Sequence, residues 1–308
     1  MNLSLKRFSF QAMGSYCEIQ IYNESRINAK RIIRKLASEV RRLEQKYSRY
    51  RSDSLVAEIN HSAGNKLGIK IDTETKALFD HALNCFEQSK GLFDITTGIL
   101  NRIWDFQSPQ VPKQAEIDRL LPLIGFQKLS WRKSRLIMPA NMEIDFGGIV
   151  KEYAADAAAK LARRLEVQHG LVNLGGDFAV IGAQPKNQPW SVGVADPNKP
   201  DNMMAKIELL DGGLASSGDY ERSFVHAGKR YSHILNPKTG WPCTGLRAVS
   251  VAANLCTVAG SLATIAMLKD EKAGLDWIRE SGLSAVAMTS DGRIEGNRLK
   301  NVKSEALE

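Results

Sequence analysis

The chain has 308 residues, 43% of them apolar, 25% charged and 7% aromatic, which is enough to bury about three quarters of the extended surface and excludes a disordered chain or a stapled mini-protein. Cys17, Cys85, Cys243 and Cys256 form no C-x-x-C pair, so the sequence indicates neither a zinc site nor a disulfide framework. The net charge of +8 sits in residues 1–51, which hold 12 Lys/Arg against 4 Asp/Glu; it reads as one solvated helix face, not the interleaved basic stripe of a nucleic-acid binder.

In chain order, residues 16–22 (Y-C-E-I-Q-I-Y) alternate as a strand, with Met13-Gly14-Ser15 as its entry turn. Ile32, Ile33, Leu36, Val40, Leu43 and Tyr47 recur at helical spacing, which predicts an amphipathic helix of about 18–20 residues capped by Asn28. Ser52 or Asp53 opens a short helix through Ile59. Residues 73–90 form another, with Thr73 as cap and Gly91 as stop. Pro109 and Pro112 frame a loop before a short helix over 114–124.

A hairpin is expected at 128–138 and a long alanine-rich helix at 148–167. Short β-like runs follow at 170–174, 178–183, 190–196, 205–210, 223–227, 231–235 and 247–253. Helices at 256–268 and 270–281 and strands near 284–289 and 293–300 close the chain. Helices early and strands late predict an α+β fold. We expect one unit over 1–308, compact, with two lobes left open, built on a mixed or antiparallel sheet with packed helices.

The first ten residues lack the apolar stretch of a secretory signal, so a cytoplasmic location is expected, or an exported one if the chain is a trimmed form. The longest apolar-leaning run, 255–268, is shorter than the roughly 20 residues of a membrane span, so no span is expected.

Four segments carry chemistry. In I-D-F-G-G-I-V-K-E-Y-A-A-D (144–156) a strand is expected to end at Asp145 and a helix to start near Gly148. A helix N-terminus suits phosphate, and Lys151 in its first turn is unfavourable unless an anion neutralises it. In V-N-L-G-G-D (172–177), Gly175 and Gly176 before Asp177 make either a hairpin turn or a close backbone approach to a flat ring or phosphate. L-A-S-S-G-D-Y (214–220) gathers Ser217, Gly218 and Asp219 on one turn, followed by His233 in S-H-I-L-N-P-K-T-G. Residues 256–267, including Thr264, read as a buried small-residue helix.

Taken in order, M-G-S (13–15), Y-S-R-Y-R-S-D-S (47–54), G-L-F-D-I-T-T-G (91–98), D-F-G-G-I-V-K (145–151), N-L-G-G-D (173–177), S-S-G-D-Y (216–220), H-I-L-N-P-K-T-G (233–240) and A-G-S-L-A-T (259–264) span nearly the whole chain. This set resembles the FAD:protein FMN transferase (ApbE) family. The resemblance implies FAD contacts at Met13, Tyr50, Leu92, Phe93, Asp94, Asp145 and Lys151; Gly175, Gly176, Asp177, Ser217, Gly218 and Asp219 complete the candidate flavin site. It implies Mg²⁺ held by the Gly148 carbonyl and Thr264, and His233 as base for the acceptor hydroxyl. The implied reaction moves FMN from FAD to a Thr or Ser hydroxyl of a target flavoprotein and releases AMP. An FAD carrier with a degenerate metal site, and an FAD pyrophosphatase giving FMN and AMP, use the same site.

The chain departs from the family pattern at four positions: Gly260 stands where aspartate is usual, Glu152 where glycine follows the lysine, Ser216 for threonine and Asn236 for aspartate. Either Asp177 or Asp219 is a carboxylate that could reach the metal in place of the one missing at 260, a choice the sequence leaves open.

Overall fold

The computed structural model describes residues 3–108 and 110–297, without the side chains of 200 and 201. Pro109, and the part of the last expected strand beyond 297, lie outside the described residues. Strands β1 (Ser4–Ala12) and β2 (Ser15–Asn23) form a hairpin that turns at Met13 and Gly14. Helices α1 (Arg26–Tyr47) and α2 (Leu55–His61), the two-residue β3 (Ile69–Lys70) and helix α3 (Thr73–Gln88) follow. After a 3₁₀ stretch over Ile95–Arg102 come α4 (Gln114–Leu120) and the hairpin β4 (Ser130–Arg132) and β5 (Arg135–Ile137). Helix α5 (Val150–Arg164) leads into β6 (Gly170–Leu174), β7 (Asp177–Gly182), β8 (Trp190–Asp196), β9 (Lys199–Leu209) and β10 (Gly213–Gly218). The chain continues through β11 (Ser223–His226), β12 (Lys229–Ser232), β13 (Ala248–Ala253), α6 (Cys256–Leu268), α7 (Glu271–Ser281), β14 (Ser284–Met288) and β15 (Ile294–Asn297).

The central sheet has eight strands in the order β1-β2-β6-β7-β10-β13-β14-β15. Every neighbouring pair is antiparallel. Side chains alternate across a strand, and here both faces are buried. Val172, Ala179, Ala215, Val249, Ala285 and Ala287 pack with the helices on one side. Leu171, Val180, Leu214, Ala248, Val286 and Met288 pack under the β8–β9 hairpin on the other. Two-sided burial explains why these strands read as apolar runs with little alternation. Helix α5 presents Ala154, Ala155, Ala158, Ala159 and Ala162 to the core, and their small size lets it lie close between the sheet, α1 and α6. A separate cluster of Ile99, Leu100, Trp104, Ile117, Ile124, Tyr231 and Leu235 packs beneath the β11–β12 hairpin.

Helix starts differ from the sequence expectation for local reasons. Ser25, not Asn28, caps α1, its hydroxyl accepting from Asn28 N at 3.2 Å; the apolar stripe marks the buried face, not the first turn. Asp72 Oδ1 caps α3 through Thr75 N at 2.8 Å, which makes Thr73 its first helical residue. Ser54 caps α2, because the Asp53 carboxylate is held by Arg51 Nε and Nη2 at 2.9 and 2.8 Å. The strand expected to end at Asp145 is a loop: Ile144 N donates to Asn60 Oδ1 and Asp145 N to Ile95 O, both at 2.8 Å. Helix α5 therefore begins at Val150, two residues after Gly148. The turn expected around Ser216–Gly218 is the end of β10, paired to β13. Its small residues belong there because α6 lies against them: a Cβ on Gly213 would stand 2.7 Å from Cys256 N.

Candidate active site

Three connections bring the candidate residues to one end of the sheet. The β6–β7 turn holds Gly175 and Gly176 at φ of +61° and +93°, where glycine is favoured. Gly175 N donates to Tyr16 O at 3.0 Å, and a Cβ on Gly175 would stand 2.6 Å from that of Ser15. The Met13–Ser15 turn and the double glycine are thus in close contact. Lys151, in the first turn of α5, reaches over both: its Nζ lies 3.5 Å from Gly175 O and 3.0 Å from Asp177 Oδ2. The anion that a first-turn lysine needs is Asp177, 1% exposed, whose Oδ1 accepts from Ser216 N at 3.3 Å.

Glu152, the next residue, is 7% exposed, and its Oε2 has no hydrogen-bond partner among the described residues. Burial, reinforced by Asp177, pushes the Glu152 carboxyl up. Burial also pushes Asp177 up, against the opposing pull of Lys151. Burial opposes the charge on Lys151, yet Asp177, Glu221 and Glu152 together hold its ammonium above the usual lysine range. Two carboxyls of raised proton affinity thus stand beside one ammonium in a site of low dielectric.

Helices α5 and α6 run antiparallel here. Asp156 caps α6, its Oδ1 and Oδ2 accepting from Cys256 N and Thr257 N, both at 2.9 Å. One turn earlier on α5 is Glu152, and one turn later on α6 is Gly260, where a Cβ would stand 2.5 Å from Glu152 Oε1. One further turn along α6 carries Thr264, while Gly148 lies in the loop before α5.

The flavin-side candidates form a second wall. A Cβ on Gly98 would meet that of Asp145 at 2.8 Å, and one on Gly148 would lie 3.5 Å from the Phe93 ring, so the 91–98 and 144–148 loops pack together. Asp145 Oδ2 pairs with Arg49 Nη1 at 3.2 Å. Asp94 is 7% exposed and engaged internally: Oδ1 accepts from Thr96 N and Oγ1 at 2.8 and 2.6 Å, and Oδ2 from Phe126 N at 3.0 Å. Its carboxylate braces the loop that carries Leu92 and Phe93. Asp219 Oδ2 pairs with Arg247 Nε at 2.9 Å, and its buried Oδ1 has no hydrogen-bond partner among the described residues. Tyr50 is 79% exposed and its hydroxyl lies 3.5 Å from Arg222 Nη1.

His233 follows β12. Its Nδ1 lies 3.3 Å from Arg222 O; a carbonyl can only accept, so Nδ1 carries the hydrogen and Nε2 keeps its lone pair. Burial, then the Arg222 guanidinium and more weakly Lys151, push the imidazole down to about 4. It is a neutral ring at pH 7, within electrostatic reach of Lys151.

No group of three or more His, Cys, Asp or Glu side chains able to hold a metal occurs among the described residues. The donors beside Lys151 are oxygens, the unpartnered Glu152 Oε2 and Asp177 Oδ2, and Thr264 one turn beyond Gly260 on α6 would add a hydroxyl. That chemistry fits a hard divalent cation such as Mg²⁺ and not a thiophilic one. The four cysteines are free and three are buried. No helix among the described residues is long and apolar enough to cross a membrane.

An antiparallel α+β fold with a lysine–carboxylate cluster under a double-glycine turn defines a polar site suited to a phosphate-bearing ligand. The sequence pattern of the ApbE family matches residues 13–287, and the chain belongs to that family. The apbe protein of Thermotoga maritima superposes with a TM-score of 0.89 at 30% identity, covering 96% of this chain and 97% of that one. The flavinyl transferase ApbE of Pseudomonas stutzeri, apo form, gives a TM-score of 0.84 at 27% identity over 96% and 95%. The FAD:protein FMN transferase of Treponema pallidum is 27% identical over 92% of this chain and 84% of its own length.

Sequence reasoning overlooked Glu152 as part of the cluster. The signal was present as two separate departures, a carboxylate gained after Lys151 and one missing at 260, but their compensation shows only once α5 and α6 are side by side.

Proposed function

We propose that this chain is an FAD:protein FMN transferase that moves FMN from FAD to a Thr or Ser hydroxyl of a target flavoprotein, with Mg²⁺, releasing AMP. One observation carries the reading: the likeness to ApbE proteins, a flavinyl transferase among them, runs over nearly the whole chain; the contacts of Lys151 with Gly175 and Asp177, from another of the matching blocks, support it.

Lys151 and the glycine main chain at 175 and 176 bind and orient the diphosphate; the exposed Tyr50 ring offers a face for the flavin or adenine. The acceptor oxygen attacks the phosphorus on the FMN side as the bond to the bridging oxygen breaks, and AMP departs with that oxygen. His233 Nε2 takes the acceptor's proton, while Arg222 O fixes the ring through Nδ1–H. Gly148 O and Thr264 Oγ1 would hold Mg²⁺, which when bound supplies positive charge to the diphosphate and the leaving group.

Incubation with FAD, Mg²⁺ and a target bearing an acceptor threonine is expected to give a fluorescent band that survives denaturing electrophoresis, with equimolar AMP. Free FMN in place of the band would establish the pyrophosphatase. FAD retained with neither product would establish the carrier.

A further inference from the structure

We infer that Glu152 is the carboxylate this chain brings to a divalent-cation site, acting with Asp177, and that position 260 is glycine to make room for it. The inference deepens the transferase reading and rests on it for the reaction served, but the geometry stands without it.

Both acids are more than nine-tenths buried, at 7% and 1% exposure. Among the described residues Glu152 Oε2 has no hydrogen-bond partner, and Asp177 Oδ2 has only the ion pair with Lys151. A buried polar oxygen without a partner is costly, and a bound cation would meet it. The oxygen-only donor set selects a hard cation.

Position is the second argument. A Cβ on Gly260 would stand 2.5 Å from Glu152 Oε1, 2.6 Å from its Cγ and 2.8 Å from its Cδ. The Glu152 carboxylate therefore occupies the space into which a side chain at 260 would project. Where the resemblance leads one to expect aspartate at 260 and glycine at 152, this chain has glycine at 260 and glutamate at 152. A carboxylate on α5 thus fills the space next to 260 on α6.

The test uses the full chain titrated with Mn²⁺ alone and with Mn²⁺ plus ADP, followed by electron paramagnetic resonance and calorimetry. Wild type is expected to take up one Mn²⁺. E152Q, nearly isosteric, is expected to bind at least about 10-fold more weakly, with an unchanged circular dichroism spectrum and a metal-free melting temperature no lower than wild type. The exchanged variant E152G/G260D is expected to recover most of the lost affinity, whereas G260D alone, with two carboxylates in one space, is not. The inference is overturned if E152Q binds Mn²⁺ as tightly as wild type, if wild type binds none in either condition, or if the exchanged variant is no better than E152Q. Loss of Mn²⁺ in E152Q with no FMN transfer by wild type removes the transferase reading alone; transfer by wild type with full Mn²⁺ affinity in E152Q removes this inference alone.

Discussion

At the scale of single residues, His233 and Lys151 make opposite demands on their surroundings. A general base works from its deprotonated form, and a ring held at about 4 is deprotonated throughout the neutral range. Because its affinity for the proton is lowered, the base form is lost only as pH falls toward that value, not through the 6.5 of an unperturbed imidazole. We expect kcat/KM to stay level through pH 6.5 and to bend downward nearer 4. His233→Ala is expected to lower kcat by about 10²–10⁴-fold and to leave the FAD dissociation constant nearly unchanged. An acid limb at 6.5 that persists in His233→Ala would assign the proton to another group. Lys151 is the sole cation in ion-pair contact with Asp177 among the described residues. Lys151→Met removes one partner of a buried pair, a change that costs about 3–5 kcal/mol, and also removes the charge that meets the diphosphate. Urea unfolding without ligand and FAD titration are both expected to register the loss; unchanged stability would mean that Asp177 and Glu152 carry no net charge in the free protein.

Between elements, the α5–α6 contact depends on the missing side chain at 260. Gly260→Ala places a methyl 2.5 Å from Glu152 Oε1, and overpacking of this kind costs about 1–3 kcal/mol. In a Glu152→Ala background the space is free, so the same substitution is expected to cost nothing there. Chemical denaturation of the four proteins measures that coupling, and additive costs would show that the two helices do not meet as described. Element boundaries also show what could be read from sequence. Helical periodicity located α1 and α3 because it reports the buried face, but their first residues were decided by which side chain reached the free amides, Ser25 and Asp72; α5 was legible by its alanine-rich run and starts without a side-chain cap. β10 was concealed by its composition: L-A-S-S-G suits a turn, and only the closeness of α6 explains why a central strand carries such small residues. The site was legible block by block through Lys151, Asp177 and His233. Glu152 was not, since its role depends on a residue on another helix.

Over the whole molecule, the sheet separates two cores with different duties. The helix side carries Lys151 and Glu152; the opposite face is closed by the β8–β9 hairpin, where Trp190 is 5% exposed, donates Nε1–H to Gly182 O at 3.0 Å and packs on the Tyr22 ring at 6.1 Å. Trp190→Ala opens a cavity in that core, and large aromatic truncations cost about 3–5 kcal/mol. The melting temperature is expected to fall by several degrees. FAD affinity measured well below the new melting point is expected to match wild type, because no candidate flavin contact comes from β8 or β9. The two readouts must therefore separate. If affinity falls with stability, the hairpin layer transmits its packing through β6 and β7 to the double-glycine turn, and the site depends on both faces of the sheet.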